Sequence, residues 1–441
     1  MSAELVFTTE SGASAGRGAG ARRVPLAVLD LVPIPDGATA GDALRNSIDL
    51  ARRAEDFGYA RYWLAEHHLN PGVAGSAPHT LLGILAGATD RIRVGTAATI
   101  LGNYEPLQVA EALGTVAAIW PDRVDLGLGR SGFPPPPTPS EGGARSTTPD
   151  APPADAGSPA PDRPTAAPAA APAGADNALV DGLVVPPARV FAFDRARFAL
   201  QGRLLGRAPG DAAKFADTVD DLLSFLGGGY VGDGIPVTVQ PAEGSGVQVW
   251  VHGSTAGESA RLAGRLGLRF GANYHVAPSG VLESLAEYRA HFEPSEELDR
   301  PHTIVSVDVV VAETDAAARR LAAGYAEWVL SIREGQGAVP YPRPEDAVPD
   351  GELGPIELAA VQDRLDTRFV GSPDTVVRLL ETLQRATGAD ELLVTTITHD
   401  HQARVESYRL LAEAWAAAAA TCRADADPLA ADESVAILAR A

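Results

Sequence analysis

Short apolar runs alternate with segments of helical periodicity along most of this chain. Strands are predicted at 24–31, 61–65, 92–98, 124–129, 247–251, 268–272, 303–312 and 391–396. Helices are predicted at 43–57, from Ser76-Ala77-Pro78, from Pro106, at 211–226, 256–266, 279–292, 316–332, from Ser372-Pro373 and at 403–420, with a loop at 333–355.

This order predicts an α/β fold. Strands that follow one another through helical crossovers run parallel, because each crossover returns the chain to the same end of the sheet. Eight such strands are the number of a (β/α)₈ TIM barrel. We therefore expect one barrel domain over residues 24–420.

One internal segment breaks the pattern. Residues 133–187 are dominated by Pro, Ala, Gly, Ser and Thr, and such a composition buries too little apolar surface to offset the entropy of ordering the chain. We expect a long, largely disordered Pro/Ala-rich insertion after strand four, within the barrel. A disordered leader is expected at 1–23 and a carboxyl-terminal tail at 421–441.

Charge and cysteine content exclude several classes of function. The 441 residues include 36 basic and 57 acidic side chains, a net charge of −21, which disfavours nucleic acid and anionic membrane surfaces as partners. Cys422 is the single cysteine, so neither an intramolecular disulfide nor a thiolate cluster can form. The leader lacks the charged and apolar regions of a secretory signal, and the expected location is cytoplasmic.

Polar side chains follow several of the predicted strands. Strand two runs into Glu66, His67 and His68, and other strand ends carry Arg130 and the residues 252–254, 273–275 and 399–401. The carboxyl ends of barrel strands meet on one face, where barrel enzymes carry their chemistry. We expect the active site there.

A glycine pattern follows strand four. Residues 127–132 fit G-x-G-x-x-G, but Pro134 and the prolines after it exclude the helix that a dinucleotide-binding turn requires. The glycines can instead admit a flat ligand, with Arg130 as a fixed charge. Ser254 and Ser259 lie at a predicted helix start, where N–H groups bind anions, although Glu258 also fits a simple capping box. Together with Arg130, the pattern favours a phosphate cradle.

A metal site is the competing interpretation of the histidines. His67 and His68, with His399 and His401, could ligate a metal in a barrel hydrolase, but no H-E-x-x-H motif is present. No G-x-S-x-G elbow supports a hydrolase serine either.

Four segments, 62–68, 91–98, 121–130 and 369–373, resemble the bacterial-luciferase-like flavin-dependent monooxygenases. The resemblance implies a luciferase-like TIM barrel that binds reduced FMN (FMNH₂), supplied by a separate NAD(P)H flavin reductase, and a homodimer. It implies that His67 is the catalytic histidine and Glu66 its supporting carboxylate. It also implies a non-proline cis peptide between Ala97 and Ala98 under the flavin ring. The phosphate positions are then Arg130, Gly253 and Ser254.

The resulting hypothesis is a two-component monooxygenase that uses FMNH₂ and O₂ to oxygenate a small organic substrate through a flavin C4a-peroxide, which requires a dry pocket. Three alternatives remain open. They are an F420-dependent oxidoreductase on the same barrel, a flavin-binding barrel without catalysis, and the metal-dependent hydrolase.

Overall fold

The computed structural model describes residues 23–130, 176–189, 194–207, 214–349 and 352–426. The expectations for the leader up to residue 22, for most of the insertion (133–175) and for the tail after residue 426 lie outside these ranges. No helix among the described residues is both long and apolar enough to cross a membrane.

Eight parallel strands form a closed barrel, which confirms the predicted fold class. The strands are β1 (Leu26–Asp30), β2 (Arg61–Leu64), β3 (Arg93–Ile100), β4 (Val124–Gly129), β5 (Gln248–Gly253), β6 (Arg269–Asn273), β7 (Thr303–Val311) and β8 (Glu391–Thr395). Each strand pairs with its neighbours in chain order, and β8 pairs with β1 to close the ring.

Helices follow each strand, as the helical periodicity predicts. They are α1 (Ala40–Asp56), α2 (Pro78–Ala88), α3 (Pro106–Ile119), α4 (Arg195–Leu204), α5 (Phe215–Gly227), α6 (Glu258–Arg265), α7 (Val281–Ala290), α8 (Asp315–Leu321), α9 (Tyr325–Arg333), α10 (Pro355–Thr367), α11 (Pro373–Thr387) and α12 (His401–Ala426). Local signals set their ends. Thr39 and Asp42 form a capping box at α1, and Gly388 ends α11 in the left-handed region.

Several features differ from the sequence prediction. The helix predicted at 316–332 is two helices, because Gly324 adopts a left-handed φ of 84° between α8 and α9. The helices α4 and α10 were not predicted, nor was a short strand, Phe369–Gly371, that pairs with the end of β7. Residues 178–185, inside the predicted insertion, form an antiparallel hairpin. The last helix continues to Ala426, into the segment predicted as a tail.

A buried polar layer fills the amino-terminal end of the barrel. Arg61 donates to Glu391 at 2.7 Å and to Asp125 at 2.7 Å, and the indole of Trp63 donates to the same aspartate at 2.9 Å. Above them Trp63 packs edge-on against Trp250, with ring centroids 5.0 Å apart. Because this end is plugged, a ligand can enter the barrel only from the carboxyl-terminal mouth.

Part of that mouth is covered. Tyr325 on α9 donates its hydroxyl to Asp308 of β7, and the N–H of Tyr341 donates to Ile34 beyond β1 at 2.9 Å. Trp328 packs between the rings of Tyr325 and Tyr341. The cover also reaches the loop beyond β2, because the Ala338 N–H donates to Asn70 Oδ1 at 2.9 Å.

Candidate active site

Glu66 lies directly beyond β2 and forms hydrogen bonds with the loops that follow β2 and β3. Its carboxylate accepts from His68 Nε2 at 2.7 Å, from the Ile100 N–H at 2.9 Å, and from the Asn103 amide. Tyr104 also bonds to it. The sequence pattern pairs Glu66 with His67, but none of these bonds goes to that ring. Glu66 instead ties the end of β2 to the loop that follows β3.

His67 is the half-buried residue whose ring stays unpaired. Its Nδ1 is buried and has no hydrogen-bond partner among the described residues, while its backbone N–H donates to Gly75 at 2.9 Å. Burial lowers the pKa of His67 to about 4, which outweighs the opposing effect of the Glu66 charge. The imidazole is therefore neutral at pH 7 and can both donate and accept a hydrogen bond.

The peptide between Ala97 and Ala98 is cis, as the family resemblance implies. The β3–β4 register shifts at this point, between Thr96 and Thr99. The two threonine hydroxyls bond to each other at 3.0 Å, so the bulge is supported from below. A Cβ at Gly129 would lie only 3.1 Å from the Ala98 methyl. Small side chains therefore leave a smooth surface at the ends of β3 and β4.

The predicted phosphate-binding residues lie together. Gly253 ends β5 beside the start of α6, where a Cβ would approach Ser259 at 3.6 Å and the Phe270 ring at 2.9 Å. Next to it, Ser254 Oγ accepts from Asn273 at 3.1 Å. No side chain caps the first turn of α6, so its N–H groups stay available.

Arg130 reaches the same place from β4. It donates to Glu258, the first residue of α6, at 2.6 Å, and its side chain is 45% exposed. A guanidinium, two hydroxyls and free helix N–H groups are donors that fit a phosphate. The residues present therefore fit the phosphate end of FMN, with Glu258 as the group that a phosphate would displace from Arg130.

A crevice of about 360 Å³ opens beside Arg130. Tyr104, Lys214 and Phe215 contribute to its walls, so it lies between the loop after β3 and the start of α5. A larger crevice of about 510 Å³ lies at the amino-terminal end of the barrel, near Glu391 and away from the candidate residues.

Two further histidines of the mouth were not chosen from the sequence. His252, on β5, points into the barrel, where its ring lies between Gly127 and Gly271. His275, just beyond β6, bonds to Ser306 of β7. The signal that could have found them is the one that found His67, since each follows an apolar strand. The sequence did not show that these side chains point toward the inside of the barrel.

The sequence also left a metal site open. Among the described residues there is no group of three or more potential metal ligands. His68 is paired with Glu66, His401 with Asp49, and His399 with the Asp36 carbonyl. Three of the four histidines proposed as ligands are therefore bonded to separate parts of the barrel rim.

The space around His252 supports a prediction about packing. A Cβ at Gly271 would lie 2.4 Å from His252 Nδ1, and its three nearest atoms all belong to that ring. We expect Gly271→Ala to lower the free energy of unfolding by about 1–3 kcal/mol, as overpacking does. In a His252→Ala background the clash is absent, so the same substitution should cost much less.

Urea denaturation of the two single variants and the double variant measures this coupling. Gly83→Ala on α2 is the control, because its Cβ would meet ordinary contact only, 3.6 Å from Val116, and it should not destabilise. Additive effects of Gly271→Ala and His252→Ala would contradict the packing described here.

The buried histidines also predict a pH dependence of stability. Burial lowers the pKa of His67, His252 and His275 to about 4 each. In the unfolded chain these rings bind protons near pH 6.5, but in the folded protein only near pH 4. The unfolded state therefore binds more protons in this window, and stability falls as the pH drops through it.

We expect a lower free energy of unfolding at pH 5.5 than at pH 7.5, a range in which carboxylates stay ionised. His252→Gln should reduce that difference, because it removes one of the three buried rings. Equal stability at the two pH values, measured by urea denaturation, would mean that the three rings are hydrated in the folded state.

Comparison with known proteins agrees with this fold. The sequence profile described as luciferase-like monooxygenase matches residues 24–151 and 226–391. A *Bacillus subtilis* (strain 168) protein, the uncharacterised YvbT, is 34% identical over 88% of this chain and 96% of its own length. A luciferase-like monooxygenase of *Escherichia coli* K12 is 31% identical over the same shares of the two chains.

The fold is similar to that of solved structures as well. The crystal structure of apo-MsnO8 superposes with a TM-score of 0.68 at 30% identity, and the match covers 89% of this chain and 98% of that one. The profile match spans both halves of the barrel on either side of the insertion. The chain belongs to the luciferase-like monooxygenase family.

Proposed function

We propose that this protein is a flavin-dependent monooxygenase that uses FMNH₂ and O₂ to oxygenate a small organic substrate. The observation that carries the proposal is the position of His67. It is a neutral, unpaired imidazole at the same barrel mouth as the Arg130 anion cradle. A ligand with a phosphate at one end and a reactive ring at the other would use both.

The phosphate would be held by Arg130, Ser254, Ser259 and the backbone of Gly253. Charge-assisted hydrogen bonds of this kind are stronger than neutral ones, and the start of α6 adds a favourable dipole. The bond between Arg130 and Glu258 supports this role, because it holds the guanidinium at the helix start before a ligand arrives.

The flavin ring would lie against Ala97 and Ala98. Their methyl groups and Gly129 offer a flat surface, and a larger side chain at Gly129 would meet Ala98. Glu66 acts here as a positioning residue, because its bond to the Ile100 N–H fixes the strand just after the cis peptide.

Reduced flavin, when bound, supplies the electrons that activate O₂. The part of His67 is to hold or move a proton beside the ring. A neutral imidazole suits this work, since it can accept a proton at one nitrogen while donating from the other. The burial of His67 Nδ1 keeps bulk water away from that nitrogen.

The electrons would come from a separate NAD(P)H flavin reductase, and we propose that the enzyme works as a homodimer. Among more distant structures of this fold, one is the oxygenating constituent of 3,6-diketocamphane monooxygenase in complex with FMN, at a TM-score of 0.58 and 16% identity. Another, an F420-dependent secondary alcohol dehydrogenase, has a TM-score of 0.54 and 14% identity. At these identities they support the fold alone, so the choice of cofactor depends on the residues of this chain.

One observation favours F420 as the second candidate. The crevice beside Arg130 is bordered by Lys214 as well, and F420 carries a longer, carboxylate-bearing tail that such a crevice could take. Glu105 also borders the crevice, however, and a carboxylate there opposes an acidic tail. We therefore place FMN first.

Equilibrium titration of the purified full chain with FMN and, separately, with F420 tests the order of the two candidates. The proposal predicts tighter binding of FMN, and Gly129→Val should abolish it by filling the flat surface. Tight binding of F420 with weak binding of FMN would replace the monooxygenase proposal by the F420-dependent one. Binding of neither would contradict the FMN proposal, the F420 proposal and the non-catalytic flavin-binding alternative, because all three require a bound cofactor.

A further inference from the structure

His275 is held in place by a residue of the neighbouring strand. Its Nδ1 lies 2.5 Å from Ser306 Oγ, and its backbone N–H donates to the Ser306 carbonyl at 3.2 Å. Ser306 is itself buried inside β7, at 1% exposure. Two bonds to one buried residue fix both the backbone and the ring of His275.

The other nitrogen of this ring has no such partner. No hydrogen bond to His275 Nε2 is formed by any residue in the part of the chain that the structure describes, and the residue is half-buried rather than enclosed. Nε2 is therefore left able to donate or accept one further hydrogen bond.

His67 lies just beyond β2 and His275 just beyond β6, so both are at the carboxyl-terminal mouth of the barrel. Burial lowers the pKa of both to about 4, so both rings are neutral at pH 7. The other charges that act on His275 are Asp308 and Arg364, which bond to each other at 3.3 Å. The side of the mouth at His275 therefore presents no uncompensated charge.

We propose that His275 is a second ligand-contacting residue of this mouth, which binds an uncharged polar group of the same ligand as His67, with Ser306 as its positioning residue. Carbonyl and imide groups of a flavin ring have this chemistry. The inference rests on the proposed function, and it adds a hydrogen bond that neither the sequence motifs nor the phosphate cradle supplies.

Two substitutions at the same position separate ligand contact from structure. An Asn amide reaches about as far as Nδ1 and can keep the bond to Ser306, whereas a Gln amide reaches about as far as Nε2 and can keep the bond to the ligand. We expect His275→Asn to weaken FMN binding by about threefold to tenfold, as the loss of one neutral hydrogen bond does. His275→Gln should weaken it less.

Binding is measured by quenching of FMN fluorescence, with ¹⁵N-histidine spectra as a second readout. The His275 ring signals should shift when FMN is added to the wild type, and those of His291 should not. His291→Gln is the binding control, and circular dichroism checks that each variant is folded.

The outcomes are distinct. If FMN binds but the His275 signals do not move, or if His275→Gln is the weaker binder, His275 has a structural role only and the inference is wrong while the proposed function stands. If wild-type protein does not bind FMN at all, the proposed function itself fails.

Discussion

His67→Ala is expected to bind FMNH₂ within a few-fold of the wild-type affinity and still to consume O₂, but to release H₂O₂ much faster. The unpaired ring lies apart from Arg130 and the start of α6, so its loss should spare the contacts that hold the phosphate. Proton transfer by a positioned side chain is typically worth about 10²–10⁴ in the rate of the productive step, so its loss diverts consumed oxygen to H₂O₂. We therefore expect the variant to release H₂O₂ faster than the wild type does.

The measurement is H₂O₂ release after O₂ is admitted to protein loaded anaerobically with FMNH₂. His291→Ala is the surface control, and His68→Ala should have a milder effect, because Glu66 keeps its bonds to Ile100 and Asn103. Unchanged H₂O₂ release in His67→Ala would remove this residue from the reaction. Joint loss of flavin binding in both variants, together with a stoichiometric metal in the wild type, would make the histidines metal ligands.

The second large effect is expected at Arg130. Its charge-assisted contact with a phosphate is worth about 1.5–3 kcal/mol. Arg130→Ala should therefore weaken FMN binding by about tenfold to a hundredfold. The variant also leaves the Glu258 carboxylate at the cradle without its cation, 2.6 Å from where the guanidinium was, which adds repulsion toward an anion.

That pair supplies its own test. Glu258→Gln removes the competing carboxylate and should leave FMN binding unchanged or make it tighter. Arg261 lies further along α6 and forms an exposed ion pair with Glu287 of α7. Arg261→Ala breaks that pair and controls for a general change of charge. If Arg130→Ala and Arg261→Ala bind FMN equally well, the phosphate lies elsewhere.

The barrel could be predicted because each of its strands and helices is indicated by a pattern of neighbouring residues in the sequence. Most of the strands are short apolar runs, for example residues 303–311 of β7. Periodicity of this kind survives in the sequence without any knowledge of neighbours. The order of strands and helices then leaves one common parallel architecture.

The hairpin at 178–185 was missed for a different reason. Asp181 and Gly182 both have positive φ, as a tight hairpin turn requires, and apolar residues flank them. The local signal was present, but the composition of the surrounding segment was given more weight. The break at Gly324 was missed because one glycine in a helical pattern does not by itself predict a left-handed residue.

Partners within the site could not be predicted, because they depend on contacts between distant strands. The sequence placed His67, Arg130 and Ser254 at the barrel mouth, and the structure brings them to that end. The sequence alone could not show that Glu66 accepts a hydrogen bond from the Ile100 N–H, since that bond joins the ends of two strands. The bond between His275 and Ser306 likewise joins neighbouring strands, so only the fold reveals it.

Anaerobic titration with FMNH₂, followed by admission of O₂, tests the central claim most directly. The account predicts a complex of one FMNH₂ per chain, and a rate of flavin reoxidation that differs from that of free FMNH₂ and depends on His67. If the protein binds no FMNH₂, or if the flavin is reoxidised at the rate of the free cofactor in both wild type and His67→Ala, the chain is not an FMN-dependent monooxygenase.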